Sequence, residues 1–143
     1  MTCMTCCPTC SKGVMSLLLR LSFGLSLLLV GVAHYMGLQG FTLMVSDGLG
    51  PLTPLGMLAA YILPALMIVG GGLLVLGMYT DVAVWASGIA LAVIPVGVLL
   101  KPVLSGVSLA DIMPAVINTY IWLLVWAFVV KCTHTCGPSC EMK

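Results

Sequence analysis

The side chains of this chain best suited to chemistry are thiols, and they are placed unevenly: all seven cysteines fall within the first ten and last twelve residues. Cys3, Cys6, Cys7 and Cys10 form two CxxC units back to back. A two-residue spacer lets both thiolates of a unit reach one tetrahedral ion without strain. Cys132, Cys136 and Cys140 follow at four-residue intervals, with His134 between the first two. On a continuing helix those three sulfurs would share one face, whereas Gly137 and Pro138 predict a turn past Cys136. Soft thiolates select Zn(II), Cu(I) or an iron–sulfur cluster, and Met1, Met4 and Met142 add thioethers. No stretch has a ferredoxin spacing, which places a cluster behind a single ion. The candidate metal ligands are therefore Cys3, Cys6, Cys7, Cys10, Cys132, His134, Cys136 and Cys140. Other fates remain open: disulfides in an oxidising compartment, although seven is an odd number; acylation beside a membrane; or free redox-responsive thiols.

What must hold these tails is a very apolar middle. Hydrophobic residues make up 62% of the chain and charged ones 6%, with a mean hydropathy of +1.25. Soluble domains carry about 25% charged residues, so an integral membrane protein is expected. A net charge of +1 offers no basic field for nucleic acid, and that class of partner is set aside. The first ten residues are rich in cysteine and threonine, and no small-residue cleavage site follows the first apolar run. That run is read as a permanent span, not a leader peptide.

A membrane helix needs about 20 mostly apolar residues. Four stretches qualify, at about 14–36, 54–78, 82–100 and 108–131, leaving cysteine-rich tails at 1–13 and 132–143. Thr53 before Pro54 has the pattern of an N-cap and first helical residue, and Ser108 with Asp111 that of a capping box. The short link around Tyr79, Thr80 and Asp81 makes spans two and three antiparallel neighbours. The expected fold is an all-α, up-and-down four-helix bundle with both termini on one side. Lys12, Arg20, Lys131 and Lys143 lie towards that side and only Lys101 towards the other. The positive-inside rule therefore makes the termini cytoplasmic.

Few polar residues interrupt the spans. Arg20 lies about two turns into the first, where a guanidinium must snorkel, pair, or contact a substrate or headgroup; Asp81 is a candidate partner. His34, next to Tyr35 at the far end, is both donor and acceptor and could meet a quinone carbonyl, a metal or simply the interface. Asn118 and Thr119 read as groups for hydrogen bonds between helices. Trp85, Trp122 and Trp126, with Tyr79 and Tyr120, read as interface anchors or packing residues. Gly24, Gly31, Gly70, Gly71, Gly72 and Gly77 offer flat contact surfaces, and Pro64 and Pro95 should free backbone carbonyls inside the protein.

The stretch Leu19-Arg20-Leu21-Ser22-Phe23-Gly24, continuing to Gly31-Val32-Ala33-His34-Tyr35, resembles the first helix of the DoxX family of small bacterial membrane proteins. Gly70-Gly71-Gly72-Leu73-Leu74-Val75-Leu76-Gly77-Met78-Tyr79-Thr80 is similar to its second helix, and the resemblance extends over about residues 17–131. It implies a four-helix protein of the bacterial inner membrane, often linked to redox partners, with one branch similar to a quinone-reducing subunit. Arg20 and His34 are then the candidate cofactor contacts. The family's usual membrane carboxylate falls on Met67, which cannot ionise.

Three functions follow as expectations. One is a DoxX-like accessory subunit or anchor in membrane redox or thiol metabolism, its tails binding metal or thiol. Another is soft-metal binding or transport; four-span mercury uptake proteins hold a cysteine pair inside a span, and this chain has none there. The third is a structural subunit of a membrane assembly or a homo-oligomer, stapled by its tail cysteines. An enzyme is the least expected class, because no carboxylate pair, nucleophile with base or phosphate loop appears.

Overall fold

In an apolar setting a backbone polar group is satisfied chiefly within its own helix, and the chain is built accordingly. The computed structural model describes residues 11–134, with side chains over 14–131. It contains α1 (Ser11–Met36), α2 (Leu38–Ser46), a 3-10 turn at Gly50–Leu52, α3 (Thr53–Leu76), α4 (Thr80–Ser105) and α5 (Leu109–His134). All but α2 and the 3-10 turn are long and apolar enough to cross a membrane. They coincide with the four expected spans to within a few residues at most ends.

Two departures have physical causes. The expected connection between the first two spans is largely helical, because α2 packs on α3 and gains from tertiary contact what nine residues cannot supply alone. Thr53 does not cap α3: its hydroxyl donates back to the Gly50 carbonyl at 2.6 Å, and the cap position falls on Leu52. Pro54 does sit in the first turn, where its missing N–H costs nothing.

α1 packs most heavily on α3, α3 on α4, and α4 on α5, with a lighter contact closing α5 onto α1. The glycines set these spacings. A Cβ on Gly71 would lie 2.6 Å from the Gly24 carbonyl oxygen and 2.7 Å from the Leu28 nitrogen, both in α1. One on Gly70 would lie 2.8 Å from the Ser87 nitrogen in α4. Adjacent glycines thus let α3 meet two neighbours at backbone distance, one on either flank. Along α1, Arg20 meets Gly77, Gly24 meets Gly71, and Gly31 meets Pro64, so residues rising along α1 meet residues falling along α3.

The core between these helices includes Phe23 and Leu27 of α1, Met67 and Leu74 of α3, Leu91 of α4 and Val129 of α5. Pro64, Pro95, Pro102 and Pro114 lie within helices that continue through them. Pro64 leaves the Ala60 carbonyl without its i+4 donor. Beside it, the Tyr35 hydroxyl donates to the Tyr61 carbonyl at 2.8 Å, tying α1 to α3 near that interruption.

Candidate functional site

Polar chemistry among the described residues sits at three levels. The first is the end where α3 turns into α4. Gly77 closes α3 in the left-handed region at φ 69°, its N–H bonded to the Leu73 carbonyl, and Tyr79 follows at φ 47°. Gly77 is needed twice, since a Cβ there would also lie 2.9 Å from Nη2 and 3.3 Å from Nη1 of Arg20. The guanidinium therefore lies against this turn. Its Nε is buried and has no hydrogen-bond partner. The expected pairing with Asp81 does not form among the described residues: Asp81 is exposed in the first turn of α4, and Arg20 settles on α3 instead.

The second level is the bundle interior. Ser87 is fully buried, donates to the Ala83 carbonyl at 2.6 Å, and accepts from Trp126 Nε1 at 3.0 Å. This node joins α4 to α5 at the height where Gly70 admits α3. Gly88 makes the indole fit, because a Cβ there would lie 2.6 Å from Trp126 Cζ2. Trp122 packs on Phe23 with ring centroids 5.7 Å apart, so these two tryptophans are packing residues, while Trp85 is exposed. Thr119 is buried and donates to the Ala115 carbonyl of its own helix at 2.8 Å. Asn118 is exposed on α5, beside an open apolar groove that includes Met113, Pro114, Ile117 and Ile121. Met67 is buried in the apolar core. A carboxylate at this position would be stripped of water there.

The third level is the opposite end. His34 Nδ1 lies 2.6 Å from the Val30 carbonyl, which can only accept, so Nδ1 is the donor in this contact. The ring meets Phe41 of α2 edge-on at 4.1 Å. Lys101 Nζ donates to the Met44 carbonyl at 2.6 Å, placing a cation at the negative end of α2. His34 is thus held by α1 and α2, far from Arg20, and the two candidate cofactor contacts do not converge.

Sequence reasoning missed Ser87, the Lys101 link and α2. A serine in a membrane span carries no signal of its own, and its partner Trp126 is distant in sequence; only the Ser87 and Gly88 pair of small residues hinted at close approach.

Cys3, Cys6, Cys7, Cys10, Cys136 and Cys140 lie outside the described residues. Cys132 and His134 belong to the last turn of α5, with their side chains outside the description. Among the described residues no three His, Cys, Asp or Glu side chains gather as metal ligands would. No protein-family model, curated protein or solved structure matches the chain.

Proposed function

We propose that the protein is a DoxX-like integral membrane protein of the bacterial inner membrane, an accessory subunit or anchor in redox or thiol metabolism. In this reading it is an up-and-down bundle whose two thiol tails meet on the cytoplasmic side and hold Zn(II) or Cu(I). The supporting observation is the Phe23–Trp122 contact. Phe23 lies twelve residues from the start of α1 at Ser11, and Trp122 lies twelve residues from the end of α5 at His134. With α1 and α5 antiparallel, as an up-and-down bundle requires, each count would be about 18 Å of rise and the points where the tails leave would come level. Nine extended residues reach about 30 Å, enough for tails leaving on one side to bring their two sets of sulfurs together.

The cysteine types carry the rest. Tetrathiolate or mixed thiolate–imidazole sets suit Zn(II), and two- or three-thiolate sets suit Cu(I). The apolar interior holds neither an acid at Met67 nor a convergence of Arg20 with His34, which favours anchoring over proton-coupled quinone chemistry. The test is metal content and free-thiol count on one purified, reduced sample of the full chain. About one equivalent of bound Zn or Cu, lost when Cys132, Cys136 and Cys140 become serine, is the expected result. A metal-free protein with all seven thiols reactive would sink the proposal. Uptake of Hg(II) or Cu(I) into vesicles would instead favour soft-metal transport.

Asn118 favours a second reading, a homo-oligomer. An exposed amide in mid-span lacks water to bond, and an amide is complementary to itself across a two-fold axis. Native mass spectrometry of the wild type and Asn118→Leu in mild detergent separates this: a dimer that the substitution dissociates supports it, and a wild-type monomer excludes it.

A further inference from the structure

Arg20 brings five N–H donors into an apolar segment, and among the described residues none reaches a protein acceptor. Its Nε is sealed off without a partner, and Nη1 and Nη2 lie against Gly77. The carbonyl end of α3 steadies the positive charge through its dipole but accepts no hydrogen bond from it. Asp81, the acidic residue nearest the turn, is exposed and unpaired with it. A guanidinium whose Nη donors rest on Gly77 with no protein acceptor among the described residues calls for an acceptor from outside the chain.

Its position indicates which acceptor. Arg20 is level with the α3–α4 turn, where Tyr79 and Asp81 are exposed and mark the polar end of that helix pair. The nine residues of α1 before it rise about 14 Å further, with Val14, Leu17 and Leu18 presenting exposed apolar side chains. The guanidinium thus sits on a ledge beside an apolar wall. The oxyanion most abundant at a membrane face is headgroup phosphate, and the arginine fork matches two of its oxygens.

We propose that the Arg20 guanidinium, seated on Gly77 at the α3–α4 turn, binds a phosphate group at this face of the membrane. The apolar wall favours a phospholipid headgroup as the source, and free phosphate would satisfy the same donors. The site is independent of what the thiol tails hold. Gly77 belongs to it because any side chain there would displace the fork.

The test uses the full chain in mild detergent, probed with phosphatidylglycerol, with diacylglycerol of the same acyl chains, and with inorganic phosphate. Native mass spectrometry reads retained lipid, and thermal unfolding reads stabilisation. The wild type is expected to retain phosphatidylglycerol at least ten-fold better than Arg20→Gln, with Arg20→Lys between them because charge without the fork is weaker. Diacylglycerol should show no such dependence. Stabilisation by inorganic phosphate alone, lost in Arg20→Lys, would support the site with free phosphate as its source. Equal retention by all three proteins, with no effect of phosphate, overturns the proposal. If Arg20→Gln does not fold, the wild type and Arg20→Lys decide it: equal retention of phosphatidylglycerol by these two, or no preference for it over diacylglycerol in the wild type, overturns the site when inorganic phosphate also stabilises neither protein.

Discussion

Ser87 shows how one small polar residue can organise a membrane core. Its hydroxyl hydrogen goes to the Ala83 carbonyl, leaving its oxygen to receive Trp126 Nε1. In Ser87→Ala the indole N–H stays in an apolar site without an acceptor. The expected cost is about 1 kcal/mol, in the range of polar contacts between membrane helices. Reversible unfolding in detergent, followed by tryptophan fluorescence, measures it; an unchanged transition would mean that the bond contributes nothing. None of this could be read from the chain alone, because a serine fits a membrane helix as a neutral filler and the partner is defined only once α4 and α5 pack. Arg20 is the opposite case. Its cost in a span was plain from its chemistry, but its resting place on Gly77 was not, since a carboxylate four residues beyond that glycine was the simpler partner to expect.

At the scale of elements, length and hydropathy were enough to place the four long apolar helices, because a segment that must satisfy its own backbone in an apolar setting has little other choice. They could not reveal α2. Leu38–Ser46 is far shorter than a span and has no side-chain cap at Gly37, and its Thr42 and Ser46 hydroxyls bond back to carbonyls of their own helix. What keeps it helical is tertiary: contact with α3, Phe41 against His34, and the Lys101 amine on the Met44 carbonyl. Lys101→Met should therefore raise hydrogen exchange across α2 and leave α3 and α4 protected. Unaltered exchange in α2 would show that the amine is dispensable. The glycine run of α3 was readable as a packing surface but not in its division of labour. Gly71→Ala must push apart α1 and α3 at backbone contact, costing about 1–3 kcal/mol. Gly72→Ala meets only a side-chain atom of Leu28 at 3.7 Å and should be close to neutral. Equal losses of thermal stability in the two variants would contradict this assignment.

At the scale of the whole molecule, the distribution of thiols makes the orientation testable without engineering. The apolar segment from Ser11 to Lys131 contains no cysteine, so a thiol reagent that cannot cross the bilayer reports on the two tails alone. The proposed up-and-down bundle of four spans would put both tails on one face, and the proposed orientation, read from Lys12, Lys131 and Lys143 by the positive-inside rule, would make that face cytoplasmic. Reduced protein stripped of metal by a chelator should then react at all seven cysteines in inside-out vesicles, and in right-side-out vesicles at none until the membrane is permeabilised. Peptide mapping separates the groups, because Cys3 to Cys10 and Cys132 to Cys140 fall in different fragments. Labelling of one tail from each face would require an odd number of crossings and would remove the shared thiol patch along with its metal. Labelling of both tails from the outer face would keep the bundle and move its thiols to an oxidising compartment, where disulfides become the favoured state.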